Sequence, residues 1–571
     1  MAKIHSLSIK NFRGIKQFEQ HFNSEFVCLI GRGDSGKSTV LEAIAYALSS
    51  SWNVSFFDND FYNCNIENPI SIEVTVKDLP DELMREDKFG LHLKGIGKDG
   101  KLTSEVEEIV EPAITIRLEV TKDLEPKWSV IADAEAGEKQ ISASDRSRLN
   151  AFFVSDYIDR HFSWSKGGPL YSLLRQETET GEDDDNAMID ALREAKTKID
   201  GNSFSKFDNV AKKVKSSAAV FGIDISKSKT TIDFRDIVVK DGKVCLHDET
   251  VPFRMKGKGS RRLVSMAIQS AIAAAGGIML IDEVEQGLEP DRVQSLVNTL
   301  KQNNHGQVFV TTHSRDVIVG LETDDIFLMK KSKHSLGTFD ASLQGLLRKN
   351  PEAFFAKRVI VAEGATEMGI CRALNDYRIA NGKENISYLG IRIADGSGSE
   401  TVSYCKGFAR LGFPSALFCD SDSPGVNSQK GSLCELGISI FDWEGNDCLE
   451  MGIVRNLPFS LIADFLNLAA QIKHDDDPSR AIEGHKTSIW DSIKSHFVGT
   501  GFPIDLPSAL DLPNLREAIG KAAHKGGWFK TQDKGYKLGM LVLDHLNEMA
   551  PESHLVKNLE DLSKWIDQNE S

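Results

Sequence analysis

A glycine-rich segment that ends in a lysine and a serine is the clearest chemical signal in the chain. Residues 31–38 read GRGDSGKS, which matches the phosphate-binding pattern G-x-x-x-x-G-K-[ST]. Glycines let backbone N–H groups curl around phosphates, while Lys37 reaches the β- and γ-phosphates and the Ser38 hydroxyl coordinates Mg²⁺. The segment therefore predicts an ATP–Mg²⁺ site whose residues are Gly31, Gly33, Asp34, Ser35, Gly36, Lys37, Ser38 and Thr39.

Two later segments have the residue types that such a site needs. Residues 277–283 read GIMLIDE, an apolar strand that ends in two carboxylates. Asp282 is expected to hold Mg²⁺, and Glu283 to orient or deprotonate the attacking water as a catalytic residue. Residues 308–314 read VFVTTHS, and His313 at the end of that strand is placed to contact the γ-phosphate. Alone, His313 would more often be an ordinary histidine.

A second group of carboxylates lies in the C-terminal part. Glu363 ends the apolar run VIVAE, Glu367 follows it by four residues, and Asp420 and Asp422 end the run SALFCDSD. Glu450 follows a third apolar run. Carboxyl ends of parallel strands meet at one edge of a sheet, and clustered carboxylates suit Mg²⁺ or Mn²⁺. Two such ions can activate water and stabilise a leaving oxygen, although each carboxylate alone would more often be a solvated charge or a helix cap.

Composition limits the alternatives. The 571 residues carry a formal net charge of −16, which argues against a basic coat but leaves local nucleic-acid-binding patches open. None of the 8 cysteines forms a Cys-x-x-Cys pair, so buried free thiols in a reducing cytoplasm are expected. The start of the chain lacks the apolar core of a signal peptide. The apolar run 265–281 favours a buried helix and strand over a membrane span.

The first part of the chain resembles the SMC/RecF/OLD branch of the ABC ATPases. The opening residues 9–14, IKNFRG, are similar to the NFR strand of that branch, in which Arg13 lies near the nucleotide. Asp60 is similar to the acidic counterpart of the Q-loop, and His313 to the switch histidine. The resemblance implies at least a dimer, in which two lobes sandwich ATP. An insertion of only about a hundred residues excludes long coiled-coil arms.

The signature segment of this branch departs from its usual LSGGQ. Residues 256–262 read KGKGSRR and are followed by a predicted helix. By the resemblance, Gly259 and Ser260 cap the γ-phosphate held by a second subunit. The basic residues between Arg254 and Arg262 also allow a contact with DNA, and a solvated basic loop is the plainer alternative.

The C-terminal carboxylates resemble those of a Toprim domain, and the order of ATPase then Toprim resembles the OLD (overcoming lysogenisation defect) nucleases, including the Gabija-type nuclease. By that resemblance Glu363, Glu367, Asp420, Asp422 and Glu450 are metal ligands, with Glu363 catalytic. The resemblance also implies a late lysine that acts at the transition state. Lys530, in residues 526–531 GGWFKT, fits best because a short strand-like run is expected there ahead of a glycine and then a helix, whereas Lys525, Lys534 and Lys537 are its competitors.

The predicted fold class is α/β, with an ABC-type P-loop ATPase lobe followed by a Toprim domain with a parallel sheet. The ATPase is assigned to residues 1–150 and 226–345, interrupted by a helical arm at 151–225 that is expected to support dimerisation. The Toprim domain is assigned to 346–571 with a helical insertion near 455–525. The acidic run 177–185 is interpreted as a solvated loop.

These features predict an ATP-regulated, divalent-metal-dependent DNA endonuclease that forms a homodimer or a higher homo-oligomer. The resemblance further implies a role in bacterial antiviral defence, a helicase or another defence protein as a partner, and no membrane. The alternative is a RecF/SMC-like repair ATPase whose Toprim domain binds nucleic acid or partners without cleaving. A topoisomerase would need an active-site tyrosine beyond the Toprim domain, and the single tyrosine downstream of the insertion, Tyr536, lacks a plausible winged-helix context. A primase would need a zinc-binding module, and no such pattern is visible.

Overall fold

The computed structural model describes most of the chain in two compact units. It describes residues 2–568 except 99, 101, 104–109, 133–136, 155–158, 163–168, 171–193, 195–196, 199–245, 275–276, 303–305, 331–334, 444 and 474–512. The first unit contains residues 1–27 and 38–311, and the second contains residues 28–37 and 312–571. The chain therefore passes from the second unit to the first between Lys37 and Ser38, inside the predicted P-loop. The predicted arm at 151–225 and the acidic run 177–185 lie largely outside the described residues.

The described strands and helices alternate along much of the chain. The strands are β1 Lys3–Phe12, β2 Ile15–His21, β3 Phe26–Ile30, β4 Ile70–Lys77, β5 Lys94–Ile96, β6 Leu102–Thr103, β7 Glu111–Val120, β8 Pro126–Ile131, β9 Glu138–Gln140, β10 Ala151–Val154, β11 His247–Asp248, β12 Val251–Pro252, β13 Ile278–Ile281, β14 Gln307–Thr311, β15 Ile326–Leu328, β16 Gly337–Thr338, β17 Arg358–Ala362, β18 Ile391–Asp395, β19 Ser415–Phe418 and β20 Ser439–Phe441. The helices are α1 Lys37–Ala47, α2 Asp81–Met84, α3 Ala143–Ser147, α4 Lys258–Ala274, α5 Pro290–Gln302, α6 Arg315–Val319, α7 Gln344–Lys349, α8 Ala365–Ala380, α9 Thr401–Arg410, α10 Pro424–Asn427, α11 Lys430–Glu435, α12 Leu449–Asn456, α13 Phe459–Lys473, α14 Pro513–Lys525, α15 Gln532–Asp544 and α16 His554–Asp567.

Antiparallel and parallel strands both occur in the first unit. Its large antiparallel sheet has the order β2-β1-β4-β7-β5-β6, with β8 paired to β7 and β9 paired to β8. The alternating apolar residues of β4 and β7 explain this sheet, because every second side chain points into the core. Strands β10, β13 and β14 pair in parallel, and β13 is buried along its whole length. Buried parallel strands read as continuous apolar runs, as GIMLI does.

A four-stranded parallel sheet forms the centre of the second unit. Its order is β18-β17-β19-β20, and all three pairings are parallel. The carboxyl ends of the four strands therefore lie at one edge. Elsewhere in this unit β15 pairs in parallel with β3 and in antiparallel with β16. The α/β class predicted from the sequence is confirmed.

Glycines allow two helices of the second unit to approach closely. A Cβ atom added to Gly369 on α8 would lie 2.5 Å from the backbone nitrogen of Tyr536 on α15. One added to Gly535 on α15 would meet the backbone of Thr366 on α8, with its Cα at 2.8 Å. Both contacts are to backbone atoms, which cannot rotate away as a side chain can. The α8–α15 pair therefore needs glycine at both positions.

Replacing Gly369 with alanine is expected to lower the free energy of unfolding by about 1–3 kcal/mol, the usual cost of overpacking. The control is Gly431→Ala on α11, where an added Cβ meets no atom within 4 Å. Urea denaturation of both variants measures the difference. Equal midpoints for Gly369→Ala and Gly431→Ala would contradict the close packing of α8 on α15.

Among the described helices, none is both long enough and apolar enough to cross a membrane. Within the region predicted to be a helical insertion, 455–525, the described residues include α13 and α14, whereas 474–512 lie outside the described residues. The prediction of a strand-like run at residues 526–531 is wrong. Residues 526–529 form a turn between α14 and α15, and Gly527 has a φ of 58°, which ends the helix rather than starting a strand.

Candidate functional site

The P-loop follows β3 directly, as its sequence predicts. Gly31 has a φ of 142°, and an added Cβ would collide with the carbonyl oxygen of Met329, so only glycine fits there. The Lys37 ammonium is buried and donates to the carbonyl oxygens of Gly31 and Arg32, at 2.9 and 3.0 Å. The hydroxyl oxygen of Ser35 is buried without a hydrogen-bond partner. A loop that curls around a lysine ammonium in this way has the shape that binds phosphate groups.

Ser38, the residue after Lys37, belongs to the hydrogen-bond network of Asp282. The Ser38 hydroxyl donates to Oδ1 of Asp282 at 3.0 Å, and the Thr311 hydroxyl donates to the same oxygen at 2.6 Å. The backbone N–H of Glu283 donates to Oγ1 of Thr311 at 2.7 Å. The structure thus brings together the two residues predicted to hold Mg²⁺ in the first unit. Thr311, at the end of β14, was not identified from the sequence.

The other residues predicted for ATP are placed as follows. Arg13 donates to Oδ1 of Asp60 at 2.9 Å and also pairs with Glu42. Glu283 is exposed and has a φ of 47°. His313 is exposed after β14, with its ring 5.9 Å from that of Phe355. Gly33, Asp34 and Gly36 form the exposed and half-exposed turn of the P-loop, and Thr39 lies on the first turn of α1.

Residues 258–262 of the signature segment lie inside a helix rather than before one. Helix α4 begins at Lys258, so Gly259 and Ser260 are on its first turn, which corrects the expectation of a preceding loop. A Cβ at Gly259 would approach the carbonyl oxygen of Gly287 to 2.5 Å, and this explains the glycine. Arg262, at the start of the next turn, donates to the carbonyl oxygens of Asp282 and Glu283. These hydrogen bonds connect the start of α4 to the residues that follow β13.

Four of the predicted carboxylates share one cavity in the second unit. The cavity has a volume of about 260 Å³ and is lined by Glu363, Glu367, Asp420 and Glu450, together with His524, Lys530 and four small residues. Glu363 follows β17 and Asp420 follows β19, at the carboxyl edge of the parallel sheet, while Glu367 and Glu450 lie on the first turns of α8 and α12.

Backbone hydrogen bonds fix the carboxylates in place. The N–H of Asp420 donates to Oε2 of Glu363 at 2.8 Å, and the N–H of Leu449 donates to Oδ1 of Asp420 at 2.7 Å. Glu367 and Glu450 are almost fully buried, with 6% and 2% of their surface exposed. The carboxyl ends of parallel strands meet at one edge of a sheet, and the structure brings these four predicted ligands together there.

Burial and mutual repulsion disfavour the ionised state of this cluster. Burial, followed by the charges of Glu367 and Glu363, raises the pKa of Asp420 to about 9. Burial, followed by repulsion from Glu363 and Glu450, raises the pKa of Glu367 to about 7, and burial raises the pKa of Glu363. A divalent cation removes this repulsion. Buried, convergent carboxylate oxygens are therefore a donor set that fits Mg²⁺ or Mn²⁺.

The stability of the metal-free protein is expected to fall as pH rises. The folded protein keeps a proton on Asp420 up to a pH of about 9, whereas the unfolded chain releases it near 3.8, so the free energy of unfolding decreases between these values. Mg²⁺ should reduce this loss by binding the ionised carboxylates. Melting temperatures from about pH 5 to pH 9, with EDTA or Mg²⁺, measure both effects. The same pH slope in Asp420→Asn would contradict the role of Asp420.

Lys530 is the candidate lysine that lines the carboxylate cavity. It is exposed, and the hydroxyl of Thr366 positions its neighbour by donating to the carbonyl oxygen of Phe529 at 3.0 Å. Thr531 caps α15 immediately afterwards. Lys525, Lys534 and Lys537 are not among the residues that line this cavity in the described structure, and Lys537 pairs with Asp533 at 3.2 Å. Of the four candidate lysines, Lys530 is therefore the one that lines the carboxylate cavity in the described structure.

His524 is a residue of this site that sequence reasoning missed. It lies in the last turn of α14, with Nδ1 3.4 Å from Oε2 of Glu450 and Nε2 3.8 Å from Oδ2 of Asp422. Its hydrogen bond with Glu450 raises the pKa of the ring above its ordinary value. A histidine in the helical segment KAAHK has no motif around it, so only its nearness to the carboxylates identifies it. Asp422 itself is exposed.

Comparisons with known families agree with the two sites. A family model described as "AAA domain, putative AbiEii toxin, Type IV TA system" matches residues 26–320. Another, described as "Overcoming lysogenization defect protein-like, TOPRIM domain", matches residues 354–422. Their order along the chain is the predicted order of ATPase and Toprim domains.

Similar solved structures are distant. An SMC head bound to the winged-helix domain of ScpA is 15% identical, over 59% of this chain and 97% of that one, with a TM-score of 0.32. An SMC head with an extended coiled coil, bound to the C-terminal domain of ScpA from Pyrococcus furiosus, is 14% identical. The match covers 61% of this chain and 98% of that one, with a TM-score of 0.31. The recombination mediator protein RecF with ATP is 13% identical, over 59% of this chain and 99% of that one, with a TM-score of 0.31. These TM-scores are too low to support an argument, so the assignment of the two domains rests on the family matches.

The fold and the two sites define an ATPase joined to a Toprim domain, a combination that indicates ATPase and nuclease-type activity. Because the first family model covers more than half of the chain, the protein belongs to that AAA-domain family. Its C-terminal match makes it an ATPase–Toprim protein of the OLD type. Neither description mentions the Gabija-type nuclease, so that likeness stays a prediction.

Proposed function

We propose that this protein is an ATP-regulated DNA endonuclease that depends on divalent metal ions and acts at the carboxylate cavity of its Toprim domain. The observation that carries the proposal is the convergence of four buried or half-buried carboxylates with Lys530 in one cavity at the carboxyl edge of a parallel sheet. An acidic cavity of this kind favours bound cations, and a phosphodiester approaches it through those cations and the lysine.

Each residue has a role in this proposal. Glu363, Glu367, Asp420, Asp422 and Glu450 would hold Mg²⁺ or Mn²⁺, which supplies an activated water and stabilises the leaving oxygen. Asp420 accepts the N–H of Leu449, so one of its oxygens is oriented before any ligand arrives. Lys530, which lines the same cavity, supplies a positive charge that would stabilise charge developing on the phosphate.

The nucleotide site has a separate role in the proposal. The P-loop from Gly31 to Thr39, with Asp282 and Glu283, would bind and hydrolyse ATP–Mg²⁺, and Arg13, Asp60 and His313 would line it. Gly259 and Ser260 of a second copy would complete it, so the protein would act as a homodimer or a higher oligomer. The domain boundaries given by the sequence, a defence role and a helicase-like partner belong to the same proposal.

The proposal is tested by incubating the purified protein with supercoiled and linear DNA in Mg²⁺, Mn²⁺ or EDTA. Cleavage that requires the metal ion supports a nuclease. Tight DNA binding and ATP hydrolysis with no cleavage under any metal condition would favour the alternative of a RecF/SMC-like repair ATPase. The two outcomes exclude each other, because the alternative requires an intact ATPase and an inactive Toprim cavity.

A further inference from the structure

A group of three donors at the edge of the cavity combines one carboxylate with a thiol and an imidazole, and its histidine also lines the cavity. Asp422, Cys448 and His524 each offer one ligand atom, and these atoms all lie within 4.8 Å of one another. Asp422 is exposed, His524 is half-buried and Cys448 is buried. One oxygen, one nitrogen and one sulfur donor within this distance fit around a single ion. Thiolate and imidazole donors favour borderline transition metals over Mg²⁺.

The histidine is already oriented for this purpose. Its Nδ1 lies 3.4 Å from Oε2 of Glu450, and its Nε2 lies 3.8 Å from Oδ2 of Asp422. When a carboxylate accepts the proton of one ring nitrogen, the other nitrogen keeps its lone pair for a metal ion. Glu450 is almost fully buried at the start of α12, so the position of the ring is fixed by the protein core.

The cysteine is fixed by the same helix. Cys448 is the residue immediately before α12, with 2% of its surface exposed, and Asp420 accepts the N–H of the next residue, Leu449. The three donors therefore come from the loop after β19, the start of α12 and the end of α14. These elements pack together, since α12 and α14 share one hydrophobic core cluster.

We propose that Asp422, Cys448 and His524 form a site for a borderline transition-metal ion such as Zn²⁺, and that occupancy of this site inhibits the Mg²⁺-dependent reaction. On binding, the Cys448 thiol releases its proton to solvent and its sulfur bonds to the ion, with no change of oxidation state. Inhibition follows because Asp422 cannot serve both the transition metal and the carboxylate cluster. The inhibitory part rests on the proposed nuclease function, whereas the binding part does not.

Cobalt absorption tests the binding part without any DNA. Co²⁺ added to the full-length protein should produce a thiolate-to-cobalt charge-transfer band in the near ultraviolet. Cys448→Ser should lose this band, and the control Cys434→Ser, which changes an exposed cysteine, should keep it. A band that persists in Cys448→Ser, or no band in the unmodified protein, would overturn the site.

His524→Asn provides a second test that does not depend on the buried thiol, since the His524 side chain is 32% exposed and tolerates replacement better. We expect the affinity for Zn²⁺, measured by competition with a chromophoric chelator, to fall about 10- to 100-fold. Unchanged affinity would overturn the proposal even if Cys448→Ser failed to fold.

The inhibitory part is measured as the Zn²⁺ concentration that halves each protein's own Mg²⁺-dependent rate. This concentration should rise at least about tenfold in His524→Asn, in step with the loss of affinity. Equal inhibition of both proteins would show that Zn²⁺ acts elsewhere. The cobalt band can be measured without DNA cleavage. A protein that shows the band but has no nuclease activity would therefore contradict the proposed function and support the transition-metal site.

Discussion

Replacing Asp420 with asparagine is expected to reduce metal-dependent DNA cleavage by about a hundredfold or more, the usual effect of removing a group that stabilises charge in a transition state. Burial, followed by the charges of Glu367, Glu363 and Glu450, raises the pKa of Asp420 to about 9, so its ionised form needs a bound cation. The amide keeps the volume of the side chain and can still accept the N–H of Leu449. The loss would therefore come from the missing charge rather than from misfolding.

Asp395→Asn is the matched control, because Asp395 ends β18 of the same sheet but pairs with Lys349 at 3.0 Å. Cleavage rates for both variants, with ATP binding measured alongside, separate the two sites of the protein. We expect ATP affinity to be unchanged in both variants. Cleavage by Asp420→Asn at the rate of Asp395→Asn would remove Asp420 from the proposed metal site.

Replacing Lys37 with alanine is expected to weaken ATP binding about 100-fold. Lys37 is buried and donates to the P-loop carbonyl oxygens of Gly31 and Arg32, and a bound phosphate would replace them as acceptor. Charge-assisted hydrogen bonds contribute about 1.5–3 kcal/mol each, which corresponds to a loss of this size. Titration with a fluorescent ATP analogue measures the affinity.

Lys10→Ala serves as the control for Lys37, because Lys10 is an exposed lysine on β1. It should bind ATP as tightly as the unmodified protein does. Circular dichroism establishes that Lys37→Ala remains folded despite the loss of a buried side chain. Unchanged ATP affinity in a folded Lys37→Ala would mean that the glycine-rich loop is not the nucleotide site.

The sequence predicts the parts of both sites that are encoded in continuous segments. The P-loop, the strand that ends at Asp282 and the strands that end at Glu363 and Asp420 each join an apolar run to polar residues within a few positions. Parallel pairing then determines which of these ends meet.

What the sequence could not predict depends on contacts between distant residues. Thr311 hydrogen-bonds to Asp282, and His524 reaches Glu450, although neither residue is part of a local motif. The strand-like run expected in the GGWFKT segment does not form. Gly527 instead adopts a positive φ after α14, and the aromatic residues Trp528 and Phe529 are buried in the core of the second unit.

The central claim is that the carboxylate cavity cleaves DNA with the help of divalent ions. The most direct test is cleavage of plasmid DNA by the full-length protein in Mg²⁺ or Mn²⁺, with and without ATP, beside Asp420→Ala prepared in the same way. We expect nicked or linear products from the unmodified protein and none from the variant, and a rate that changes with ATP. Products of equal amount from both proteins would contradict the account, because the cleavage would then come from another site or from a contaminant.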